Sequence, residues 1–176
     1  MFGHAGVMSP SPIMQALYQG QKDEAATLAA DSGALDLFEA TSLGQADRVD
    51  ALIGAGADVT GYSDDGFTAL HFAGFFDQPK AGHALLRAGA DPNAVARNDM
   101  RVQPLHSAAA GKSNGVSRML LHAGADPNAK QQKGYTALHE AVLNGNTDLE
   151  KLLLDHGADP SIANDDGQLP EDLRPS

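Results

Sequence analysis

With 176 residues, the chain has room for one domain with a sizeable buried core. Its formal charge of −11 argues against nucleic acid, which is bound through clustered Lys and Arg. The absence of cysteine excludes disulfides, thiolate metal sites and cysteine nucleophiles. Aromatics are only 5% and Trp is absent, a composition that suits close-packed short helices. No apolar run approaches the roughly 18 residues that span a membrane. The N-terminus lacks the basic and long apolar stretches of a signal peptide, so a cytoplasmic location is expected.

Residues 1–11 show no periodicity and are expected to form a mobile leader. Pro12 then stands where a proline opens a helix, with Ser11 as N-cap and Ile13, Met14, Leu17 and Tyr18 at helical spacing. Gly20 breaks it, and a second helix runs from about Asp23 to Ala30. Residues 12–34 thus read as a capping pair with a polar outer side.

From Asp36 a block recurs. Gly-Ala-Asp stands at 56–58, 89–91, 124–126 and 157–159, at intervals of 33, 35 and 33 residues. Ala-Leu-His at 69–71 and 137–139, with Pro-Leu-His at 104–106, keeps the same register. Blocks are expected at 35–62, 63–95, 96–130 and 131–163, with a partial unit at 164–176. In that unit Glu171 replaces an apolar leucine and Pro175 ends any helix, so it is expected to hide the last apolar face.

Within a block, Thr68 and Thr136 can cap a first helix with their hydroxyls. Ala73, Ala108 and Ala141 are small enough for neighbouring blocks to approach closely. Gly145 and Gly44 permit a left-handed turn between helices, and Gly56, Gly89, Gly124 and Gly157 the left-handed end of the second helix. Leu149, Leu152 and Leu153 form an apolar stripe towards the next block. Departures are informative. Pro79, Ala81 and Gly82 weaken a second helix, Gly82 by about 1 kcal/mol against alanine. Lys112 takes the inter-helix glycine position, Gln103 replaces the capping threonine, and the loop Ala96–Val102 gains two residues.

The stretches DGFTALHFAGF, RVQPLHSAAAG and KGYTALHEAVLNG, at this period, resemble the ankyrin repeat family. The resemblance implies an all-α solenoid of L-shaped helix–turn–helix repeats joined by short β-hairpin fingers. It implies hydrogen bonds between loops for His71, His106 and His139, which lie about one repeat apart and too far to share a metal. His122 and His156 are expected near helix C-termini, where a cation is favoured, and His83 in a second helix. Asp58, Asp91, Asp126 and Asp159 repeat in register, as a turn requires and a catalytic pair would not. With no phosphate loop, nucleophile elbow or zinc motif in sight, no enzyme, cofactor or metal site is expected.

The family's partners usually dock on finger tips and the exposed side of the first helix. Carried over, this points to Asp64, Asp65, Phe67, Phe75 and Phe76, to Arg97, Met100, Arg101 and Val102, and to Gln132, Lys133, Tyr135, Leu143 and Asn144. Phe75 and Phe76 are either core between repeats or interface, whereas Phe67 and Tyr135 read as exposed. Residues 92–133 carry six basic and two acidic groups, either as solvated charge or as a patch steering an acidic partner. The expected role is non-catalytic binding of an unidentified protein by a monomer. The alternative is a small-molecule or nucleic-acid binder with a basic groove around Arg97, Arg101, Lys130 and Lys133. Asn93 and Asn128 match positions that asparaginyl hydroxylases modify in some animal relatives.

Overall fold

The computed structural model describes residues 10–175, so most of the expected leader, with His4, lies outside the described residues. Among the described residues ten α-helices form five consecutive pairs: α1 (Pro12–Tyr18) with α2 (Lys22–Ser32), α3 (Leu37–Ser42) with α4 (Ala46–Gly54), and α5 (Ala69–Phe75) with α6 (Pro79–Arg87). They are followed by α7 (Pro104–Ala110) with α8 (Asn114–His122) and α9 (Ala137–Leu143) with α10 (Thr147–Asp155). First helices stack in one row, α1 on α3 and on through α5 and α7 to α9. Second helices from α4 to α10 stack in another. Between the rows lie Leu70, Leu105 and Leu138 of the first helices and Leu85, Leu120 and Leu153 of the second, all fully buried. Each such leucine contributes about 1.5–3 kcal/mol of transfer free energy.

The helix pairs exist because one local turn is repeated five times. The amides of Gln21, Gln45, Gln78, Ser113 and Asn146 donate to the carbonyls of Ala16, Ala40, Ala73, Ala108 and Ala141 at 2.8–2.9 Å. This six-to-one bond requires the residue before the donor to be left-handed. Gly20, Gly44 and Gly145 supply that conformation freely, whereas Asp77 (φ 54°) and Lys112 (φ 57°) adopt it against the repulsion of their own Cβ. The acceptor alanines are buried, as close packing of the first helices demands. Between α5 and α7 the approach is tightest, and a Cβ on Gly111 would stand 2.3 Å from the Phe75 carbonyl oxygen.

Each pair from α3–α4 onward is followed by a finger closed by a backbone bond. Ser63 N donates to Phe67 O, Gln131 N to Tyr135 O and Asn164 N to Gln168 O, whereas Ala96 N reaches Val102 O, two residues further. The extra length of the finger Ala96–Val102 is therefore real. Neighbouring fingers are laced by Arg97 N to Gly66 O, Gln132 N to Met100 O and Asp165 N to Lys133 O. Among the described residues no regular strand forms, only an isolated antiparallel bridge between Tyr62 and Thr68.

Two expectations are refined at this level. Gly82 is more than a weak helix former: a Cβ there would lie 2.5 Å from the Met119 methyl, which occupies its place. At the C-terminus, a 3-10 turn at Pro170–Leu173 packs mainly on α9, and Leu154 of α10 stays 41% exposed while the stripe Leu149, Leu152 and Leu153 is buried. Arg174 ties the turn to α10 through Glu150 at 2.9 Å.

Candidate functional site

The three register histidines are structural pins. His71, His106 and His139 are almost wholly buried. Their Nδ1 atoms accept from the amides of Thr68, Gln103 and Thr136 at 3.1–3.2 Å. Their Nε2 atoms lie 2.9–3.2 Å from the carbonyls of Val102, Ala129 and Gln168 in the following fingers. An amide can only donate and a carbonyl only accept, so the neutral Nε2–H tautomer satisfies both partners. Burial pushes His71 and His106 down to about 4, and His139 down as well. The hydroxyls of Thr68 and Thr136 lie 2.8–2.9 Å from the same Nδ1 atoms, and each Thr–His pair forms a capping box at the start of its helix, as expected of the two threonines.

Over this pinned frame runs a groove of about 450 Å³. Its helix side is formed by two columns: Phe72, Ser107 and Glu140, each following a register histidine, and Phe75 with Ala110 three residues later. Its finger side is Asp65, Phe67, Met100, Val102 and Gln131, and Tyr18 of α1 joins them. The hollow follows from side-chain size. Where neighbouring repeats place Phe72 and Glu140 the third places Ser107, and where they place Phe75 and Leu143 it places Ala110.

One wall is a continuous aromatic cluster. Phe72 meets Phe38, Phe67 and Phe76 at centroid distances of 6.0, 5.7 and 6.5 Å. Phe76 in turn meets Phe75 at 5.1 Å and Tyr18 at 6.2 Å. The Tyr18 hydroxyl donates to Asp65 Oδ2 at 2.5 Å, and Ser63 holds the other carboxylate oxygen. Burial and the Asp65 carboxylate push the Tyr18 phenol far up from its ordinary value.

Of the residues expected at a binding face, Asp65, Phe67, Phe75, Met100 and Val102 come together in the groove. Phe75 and Met100 are 44% and 46% exposed and, with Tyr18, form its open apolar surface. Phe76 is half-buried beneath Phe75, so the two phenylalanines divide between support and surface. Val102 is buried, contrary to its expected exposure, because His71 and Ala96 both bond its carbonyl. Phe67 and Tyr135 are half-buried against His71 and His139 rather than free. Asp64 faces a smaller hollow beside Asp36 and Asp65.

Gln132, Lys133, Leu143 and Asn144 do not line the groove. Neither do Arg97, Arg101 and Lys130, so this groove is not the basic one expected around them. Arg97 lies 3.9 Å above the Tyr62 ring, and Lys130 Nζ donates to the Ala163 carbonyl at 3.0 Å. Sequence reasoning missed Tyr18, Phe72, Ser107, Ala110, Gln131 and Glu140. Four of them were within reach: carrying the position after each histidine across the blocks yields 72, 107 and 140, and carrying Phe75 across yields 110.

Asn93 and Asn128 bind the blocks end to end. Asn128 donates to Gly157 O at 3.0 Å and accepts from Asp159 N at 2.7 Å, and Asn93 does the same with Gly124 and Asp126. Both side-chain amides are thus engaged between repeats. Their aspartate neighbours close local turns, as Asp126 does on the Asn128 amide.

The family model for ankyrin repeats (three copies) matches residues 37–131 and 83–164, most of the chain. The chain belongs to the ankyrin repeat family. A search of curated proteins gave no match. Ankyrin repeats are generally non-catalytic protein-interaction modules. Among the described residues no His, Asp and Glu group of three or more could hold a metal ion. No helix there is long and apolar enough to cross a membrane.

Proposed function

We propose that this ankyrin repeat chain is a non-catalytic module that binds a partner protein on the face made by its fingers and first helices. The observation that carries the reading is the groove itself, where Phe75 and Met100 stand open beside the small Ser107 and Ala110. Exposed aromatics flanking a hollow are the usual anchors of an interface. A monomer in the cytoplasm fits the charge of −11 and the lack of cysteine.

The test is affinity capture from the native host's lysate with wild type, Phe75→Asp and Ala110→Phe. The first variant places a charge on the open wall and the second fills the hollow. Neither position is a fully packed core site, so melting temperatures should stay close to wild type while the captured partner is lost. Retention of every partner by both variants would sink the proposal.

A further inference from the structure

The charge inside the groove defines its occupant further. Among the described residues its charged lining residues are Asp65 and Glu140, with no Lys or Arg. The adjoining hollow shares Asp65 and Phe72 with it and adds Asp36 and Asp64. Among the described residues the ion pairs are Arg87–Asp50, Arg174–Glu150 and Arg174–Glu171, so none of these four carboxylates has a cationic partner. The Asp36 carboxyl is pushed up from its ordinary value, chiefly by burial and against the hydrogen bond from the Glu39 amide, with smaller upward contributions from the Glu39 and Asp64 charges.

Both groove carboxylates are also preset. Asp65 is held by the Tyr18 and Ser63 hydroxyls, and Glu140 Oε1 accepts from the Asn144 side-chain amide at 3.1 Å. They stay acceptors of fixed position, Asp65 in the first and Glu140 in the last of the three successive repeats that line the hollow, whose apolar lining includes Phe72, Phe75 and Met100.

We propose that the groove takes a short peptide segment of a basic partner protein, with one bulky apolar side chain in the hollow and Lys or Arg on either side, towards Asp65 and Glu140. This rests on the protein-binding reading above. An acidic segment would meet like charges at both carboxylates, and a second copy of this chain brings −11 against −11. The volume is that of a site for a compact side-chain group rather than for a helix bundle.

The experiment is fluorescence anisotropy with three labelled heptapeptides. One has a Leu-Phe-Leu centre flanked by two lysines on each side, one has the same centre flanked by glutamates, and one has an Ala-Ala-Ala centre flanked by lysines. The first should bind at least about tenfold more tightly than either other peptide, and more weakly as salt is raised. Glu140→Gln and Asp65→Asn should each weaken it several-fold. Ala110→Phe should abolish its binding with no change in melting temperature.

Equal binding of the glutamate peptide overturns the proposal. So does lysine-peptide binding that survives Ala110→Phe, since that is adhesion to an acidic surface. A dimer in sedimentation that Ala110→Phe dissolves makes a second copy the occupant instead. If Phe75→Asp loses a captured partner while the lysine peptide never binds, the binding face stands and only the chemistry assigned to the partner falls.

Discussion

Acidification should loosen this fold well above the pH at which its carboxylates titrate. His71 and His106 have pKa values of about 4 in the folded chain against 6.5 when free. The depressed value means that the unfolded chain binds the proton more readily. The stability these residues contribute is therefore full above pH 6.5 and declines as the pH falls towards 4. Each pKa unit is worth 1.36 kcal/mol, so between pH 7 and pH 5 each histidine should remove about 2 kcal/mol, and the pair about 4 kcal/mol. His139 is lowered too and adds to the same trend.

That is a large part of the 5–15 kcal/mol typical of a domain. The lowered carboxyls of Asp58, Asp159 and Glu171 are surface groups whose contribution is lost only below their free values of 3.8 and 4.5. Asp36, raised, works in the opposite sense. Urea unfolding followed by circular dichroism at half-unit steps from pH 7.5 to 4.5 measures the slope. Histidine ring resonances followed over the same range show whether the folded rings stay neutral. A flat unfolding free energy from pH 7 to 5, or His71 and His106 signals titrating near 6.5, would refute the pinned-tautomer account.

Two further predictions concern the repeated contacts. Lys112→Gly relieves a left-handed residue worth roughly 1–2 kcal/mol and gives back part of it as unfolded-chain entropy, so urea unfolding should show a gain of about 0.5–1 kcal/mol. Asn128→Ala removes both bonds from one repeat to the next and should lower stability by about 1–2 kcal/mol, with earlier hydrogen exchange in α10 than in α5.

The two helices per block and the turn between them could be read directly, since each depends on residues fewer than ten positions apart, and the period from the recurrence of those short signals. A left-handed residue after an alanine, a Gly-Ala-Asp after a leucine stripe and a His three places after its cap are local devices, and they act alike wherever they recur. The extra length of the finger Ala96–Val102 was legible for the same reason, as a count between two landmarks.

The groove was legible only in part. Asp65, Phe67, Phe75, Met100 and Val102 were within the expected face, but the structure alone joined them to Tyr18, 47 residues before Asp65, and to Glu140 beyond. Which side chains meet across repeats depends on the lateral stacking of the first helices, and stacking is decided by burial throughout the array rather than within any one block. The same physics withdrew Arg97 onto Tyr62 and Lys130 onto Ala163, and seated the Met119 methyl at Gly82. Sequence alone determined the repeat because its signals are short-range. Tertiary structure decided the site because a hollow is set by the sizes of side chains that are distant in the chain and adjacent in space.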